Sequence, residues 1–175
     1  RSVKQEASRH VVLGVDPGSR IAGLGVIAYD PVKGSSVHLF HEALNLGTGS
    51  LAQRLYKLSQ RIDELITTYQ VSHLSLEQAF FGKNADSAFK IGMSRGVCVQ
   101  FVGKYGLEFF EVAPRRLKKM ITGHGNADKD LVRLFVAQIL GISIDVRHDA
   151  SDALALAIVC ARESGIPKGL RSREL

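Results

Sequence analysis

The chain has 175 residues, 45% of them hydrophobic and 23% charged, a balance that excludes disorder as its main state and predicts one globular domain with its own core. Its 23 basic residues outnumber its 17 acidic ones for a net charge of +6, which fits a polyanionic partner and equally fits ordinary surface charge. No apolar run approaches the roughly 20 residues of a membrane span, the polar stretch Arg1 to His10 does not read as a signal peptide, and no CxxC occurs, so Cys98 and Cys160 predict buried free thiols in a cytoplasmic protein without a zinc site or a membrane partner.

Residues 1–9 read as a disordered or tag-derived extension, 10–166 as the folded domain and 167–175 as a loose basic tail. His10–Val15 is apolar on both faces, as a central strand is. Asp16-Pro17-Gly18-Ser19 ends it in a turn, and Ile21–Tyr29, with Gly23 and Gly25 inside it, returns as a second strand. So short a connection predicts an antiparallel hairpin. Val37–Leu46 predicts a third strand. Gly49-Ser50 then caps a long helix whose Leu51, Leu55, Leu58, Ile62, Leu65 and Tyr69 recur at helical spacing. His73–Glu77 reads as a strand, with Leu74 and Leu76 on one face and His73, Ser75 and Glu77 on the other. A polar loop leads to a helix from Asp86 to Gly103, in which Gly92 and Gly96 lie one turn apart. Leu107–Val112 is a short strand, and Pro114 opens a basic helix that Gly123-His124-Gly125 breaks. Helices follow over Asp128–Leu140 and Asp149–Glu163. This order predicts an α/β fold with a mixed five-stranded sheet. A doubly wound sheet does not fit, because turns rather than helices join the opening strands.

Carboxylates mark the candidate chemistry. Asp16 ends the first strand and Glu77 the fourth; if these strands are parallel neighbours, both acids leave the same sheet edge. Asp149 and Asp152 are three apart on a helix and share a face. Acids crowded in this way call for cations, and hard oxygen ligands suit Mg²⁺ or Mn²⁺. Two such ions can clamp the attacking and leaving oxygens of a phosphodiester. Each acid also has a plainer reading: Asp16 as a turn residue, Glu77 as a solvated rim residue, Asp149 with Asp152 as a helix cap and its third-position acid.

At these residues the sequence resembles the RuvC family of Holliday-junction resolving endonucleases, within the RNase H/retroviral integrase-like superfamily. The resemblance rests on LGVDPGSRIAGLGVI (Leu13–Ile27), LEQAFFGKNADSAFKIGMSRG (Leu76–Gly96), APRRLKKMITGHGNADK (Ala113–Lys129) and HDASDALALA (His148–Ala157), in family order. It implies an RNase H-like sheet flanked by helices on both faces, with residues 10–166 as a nuclease domain. It implies that Asp16, Glu77, Asp149 and Asp152 bind two Mg²⁺ ions, with Mn²⁺ as a substitute, and that Lys118 and Lys129 stand near the cleaved phosphate. It implies that Phe80 helps open base pairs, with the adjacent Phe81 as an alternative. It implies a homodimer formed through the Asp86–Gly103 helix, paired nicks with 5′-phosphate and 3′-hydroxyl ends in four-way junction DNA, and work in recombination and repair beside the RuvA–RuvB branch-migration motor at the bacterial nucleoid. His148, just before the third acid, reads as a ligand or as a solvated loop residue.

The flanking residues follow from these expectations. Arg115, Arg116, Lys118 and Lys119 read either as a solvated helix face or as contacts to a phosphate backbone that must pass the acids. Phe80 and Phe81 beside Gly82-Lys83-Asn84 read as core or as a platform on which a base stacks, with Lys83 on the DNA. Phe89 and Met93 flank Gly92 and Gly96 and would fill a partner's surface; the alternative is that these glycines serve contacts within the chain. Three rival functions share parts of this pattern. An actin-like ATPase or sugar kinase needs two such halves, for which the chain is too short. A non-catalytic junction binder would not need the acid set. A related short RNase H-like family processes ribosomal RNA, but the segment after Glu77 matches it less well.

Overall fold

Tight turns after Asp16 and Asp30 fold the first three strands back on one another. The Asp30 carboxylate accepts from the Val32 and Lys33 amides in the second turn, and Gly34 takes the left-handed φ of 63° that closes it. The computed structural model describes residues 10–78 and 85–164. In chain order these form β1 (His10–Asp16), β2 (Ile21–Asp30), β3 (Ser35–Asn45), α1 (Leu51–Tyr69), β4 (His73–Glu77), α2 (Ala85–Tyr105), β5 (Glu108–Val112), α3 (Pro114–Thr122), α4 (Lys129–Leu140) and α5 (His148–Ser164). The sheet order is β3-β2-β1-β4-β5. The turns make β1–β2 and β2–β3 antiparallel, whereas the helical crossovers make β1–β4 and β4–β5 parallel. The expected mixed five-stranded sheet is therefore present.

Two apolar layers hold the sheet. One face packs Leu13, Val15, Leu74 and Leu76 against Leu58, Ile62 and Leu65 of α1 and Cys98 and Phe101 of α2. The other packs Val12 and Ile27 against α3, α4 and α5. Ser50 caps α1 in a reciprocal box with Gln53, and Asp128 caps α4 through the Leu131 amide. Both cysteines are buried and neither is disulfide-bonded. Among the described residues no helix is long and apolar enough to cross a membrane.

Helix α5 is the element that positions the site, and its sequence explains how. Alanines at 150, 153, 155, 157 and 161 are buried, so the helix presents little bulk to the sheet. The sheet answers with glycines. A Cβ at Gly14 would lie 1.9 Å from the Ala153 carbonyl oxygen, and one at Gly23 would lie 1.8 Å from that of Asp149. The helix backbone thus rests almost directly on β1 and β2, with its N-terminal turns at the edge where β1 ends. Gly14→Ala should force α5 off the sheet, since backbone rather than a pliable side chain blocks the methyl. We expect a loss of about 3 kcal/mol or more in denaturant unfolding; a change within measurement error would mean that the helix rides more loosely than described.

The structure departs from two sequence expectations. Helix α5 begins at His148, so Asp149 lies inside the helix and is not its cap. Gly92 and Gly96 do not serve contacts within the described chain: a Cβ at either meets nothing within 4 Å, while α2 packs inward through Ser94, Cys98 and Phe101.

Candidate active site

Strands β1 and β4 run parallel with Val15 opposite Leu76, so the residues that follow, Asp16 and Glu77, leave the sheet side by side. The close seat of α5 brings Asp152 to the same edge. Lys129, the first residue of α4, donates from Nζ to Asp152 Oδ2 at 3.0 Å. Lys118 enters from α3. Together these five side chains line one cleft of about 310 Å³ over an apolar floor of Pro114, Leu117, Val132 and Leu156.

The cleft holds more negative charge than it can comfortably ionise. The Asp16 carboxyl is pushed up from 3.8 to about 7, first by burial and then by repulsion from Asp152 and Glu77, while Lys129 partly offsets the rise and Asp149 adds to it. Glu77 is also raised, first by burial and then by Asp152, against the opposing pull of Lys129, Lys118 and Arg95. The hydrogen bond and charge of Asp152 in turn raise the Lys129 ammonium. Two ammonium groups, Lys118 and Lys129, against four crowded carboxylates, Asp149 at the margin included, leave the neutralisation incomplete, and an added hard cation would complete it. Among the described residues no group of three or more His, Cys, Asp or Glu side chains is drawn together closely enough to hold a metal ion as it stands. The donor set nevertheless fits such an ion: oxygen ligands, partly desolvated and mutually repelling, around an open cleft.

Not every expected residue enters this cleft. Asp149 stands beside it and adds its charge to Asp16, but does not line it. The basic helix is split. Lys118 faces the carboxylates, whereas Arg115, Arg116 and Lys119 line a separate open groove of about 850 Å³ with His124 and Asn126. Arg116 also pairs with Glu163 at 2.9 Å. His148 is the first residue of α5, with Nε2 3.5 Å from the Asp130 carboxylate, and it does not line the cleft. Phe89, Gly92, Met93 and Gly96 lie exposed on α2. Phe80, Phe81 and Lys83 lie outside the described residues.

Sequence reasoning missed Arg95. Its guanidinium donates to the Glu77 carbonyl oxygen and pairs with the Glu111 carboxylate, so it ties α2 to the ends of β4 and β5. The only signal was a single arginine within an otherwise mostly apolar stretch of α2, which says nothing of where it points.

Comparison with known proteins agrees with this geometry. The family described as "Crossover junction endodeoxyribonuclease RuvC" matches residues 12–160. A relative with that name from Chromohalobacter salexigens is 39% identical over 156 residues, covering 89% of this chain and 83% of its own. Another, from Xanthomonas campestris, is 42% identical over 151 residues, covering 86% of both chains. The solved RuvC of Thermus thermophilus superposes with a TM-score of 0.78 at 28% identity, covering 88% of this chain and 95% of that one. With most of the length matched in both sequence and fold, this chain belongs to the RuvC family of crossover junction endodeoxyribonucleases.

Proposed function

We propose that this junction endonuclease cleaves four-way DNA at the Asp16–Glu77–Asp152 cleft, with Asp149 at its margin. The observation that carries the reading is the convergence of three carboxylates and two lysines on one sheet edge. Catalysis in this family is metal-dependent. Two Mg²⁺ ions, replaceable by Mn²⁺, would be held by Asp16, Glu77, Asp152 and Asp149, and when bound they supply positive charge to a phosphodiester and lower the pKa of water. The chain's own residues do the rest. Lys118 and Lys129 place ammonium groups where negative charge grows on the phosphate. The apolar floor excludes water beneath them, and α5 holds Asp152 against a rigid sheet. The products are a 5′-phosphate and a 3′-hydroxyl.

The substrate reading draws support from a relative of the same fold. Thermus thermophilus RuvC has been solved with a Holliday junction substrate, and that structure matches this chain with a TM-score of 0.78. Arg115, Arg116 and Lys119 face a second groove beside the cleft and suit the phosphates of an arm beyond the cleavage point. Phe80, Phe81 and Lys83 are assigned to the junction centre, by stacking and phosphate contact. The RuvA–RuvB motor would supply branch migration, in the cytoplasm beside chromosomal DNA. The test is cleavage of synthetic four-way and linear duplex DNA with Mg²⁺ or with EDTA. Paired nicks in the four-way substrate only, abolished by EDTA, support the reading; equal cutting of both substrates, or cutting in EDTA, contradicts it.

Paired nicks need two clefts, and a symmetric homodimer supplies them. The exposed face of α2 suits that contact: Phe89 is 65% and Met93 38% exposed, and Gly92 and Gly96 leave room for another backbone. Gly96→Leu should fold normally, because its side chain enters open space in the monomer. It should sediment as a monomer and lose coordinated nicking. A variant that stays dimeric and still resolves junctions would put the interface elsewhere.

A further inference from the structure

Two histidines outside the cleft form a second constellation. On a regular strand, residues three apart point to opposite faces. His38 and His41 do not, because the β2–β3 ladder slips by one residue: His38 pairs with Ile27 and Phe40 with Val26, which leaves Leu39 as a bulge. Bulges re-aim side chains in this way. Both imidazoles are half-buried, and His38 Nε2 stands 2.8 Å from His41 Nδ1, with ring centroids 4.9 Å apart. The pair lies on an edge strand, with β2 and β1 between it and β4 with its Glu77.

We infer that His38 and His41 form a bidentate binding site for a divalent transition metal of the copper–nickel class, separate from the carboxylate cleft. Two imidazole nitrogens are ligands of intermediate softness and suit such ions better than Mg²⁺. The spacing selects further. At metal–nitrogen lengths of about 2.0–2.1 Å, nitrogens kept 2.8 Å apart would subtend roughly 84–89° at an ion once the two rings, now end-on with centroids 4.9 Å apart, tilt so that both lone pairs converge on it. That is the angle between neighbouring ligands in square-planar or octahedral sites, and it falls well short of the tetrahedral angle that zinc favours. In the metal-free pair one facing nitrogen carries the shared proton. On binding, that ring shifts its proton to its other nitrogen, both facing lone pairs go to the ion, and water fills the remaining positions. Two neutral imidazoles thereby lose no net proton.

The test is titration of the full chain with Cu²⁺, Ni²⁺ and Zn²⁺, with electron paramagnetic resonance on the copper form. His38→Gln, His41→Gln and Asp16→Asn are run in parallel, and circular dichroism checks each fold. We expect copper coupled to two imidazole nitrogens, affinity at least about tenfold weaker in either histidine variant, no such loss in Asp16→Asn, and Ni²⁺ bound more tightly than Zn²⁺. Should one histidine variant fail to fold, the other decides. Equal copper binding by wild type and the folded histidine variants, or a signal without nitrogen coupling, overturns the site. Zn²⁺ bound as tightly as Ni²⁺ overturns the right-angle geometry.

Discussion

Asp16→Asn cripples cleavage and at the same time stabilises the metal-free protein. The two effects have one cause. Asp16 is partly buried among other carboxylates, and its carboxyl is raised to about 7 from 3.8. It therefore binds its proton more tightly in the folded chain than in the unfolded one. Its destabilising contribution is absent below the unfolded value near 3.8, grows as pH rises toward 7, and is full above that. The neutral isostere removes this penalty, so the advantage of the variant should be absent in acid and largest at pH 8, at most about 4 kcal/mol. Thermal melts in EDTA should show a gain of several degrees at pH 8 that vanishes toward pH 4. Mg²⁺ should raise the melting temperature of the wild type and do so less for the variant. Cleavage should fall roughly a thousandfold or more, since several kcal/mol of charge stabilisation is lost. Junction binding should persist, because phosphate contacts carry most of the affinity. Cleavage near the wild-type rate would refute the assignment, and a variant less stable than wild type at pH 8 would mean that Asp16 serves its turn instead.

Lys118→Ala lowers the cleavage rate at saturating protein by about a hundredfold, the usual cost of removing one group aimed at developing charge. The chain should fold as before, because Lys118 lines an open cleft rather than the core. Junction affinity should fall modestly, and the salt dependence of binding should flatten by about one ion. Lys119→Ala is the informative comparison. It is the next residue on the same helix, yet it faces the other groove, so it should weaken binding without slowing cleavage of bound DNA. If both variants behave alike, α3 presents one undivided basic face.

The difference between these two lysines shows where sequence reasoning stopped. The strand and helix succession was readable, because alternation, helical periodicity and breakers such as Pro114 and Gly123 are local signals. The meeting of Asp16 and Glu77 follows from β1 and β4 being parallel neighbours. The division of α3 between two grooves depends on how the helix is rotated against α4 and α5, which no local signal carries. Gly23 and Gly25 were visible within a strand, but their purpose needed the helix that lies on them. The cap reading of Asp149 failed because α5 starts one residue earlier, at His148. Arg95 and the bulge at Leu39 are products of pairing between distant segments and leave no pattern in their own neighbourhoods.

On this reading a divalent cation works among Asp16, Glu77 and Asp152. The most direct measurement is anomalous scattering from crystals of the protein soaked in Mn²⁺. A manganese peak is expected inside the cleft, bonded to carboxylate oxygens of Asp16 and at least one of Glu77 and Asp152, and absent in Asp16→Asn crystals. A fully occupied manganese site elsewhere, with the cleft empty in crystals of cleavage-competent protein, would contradict it.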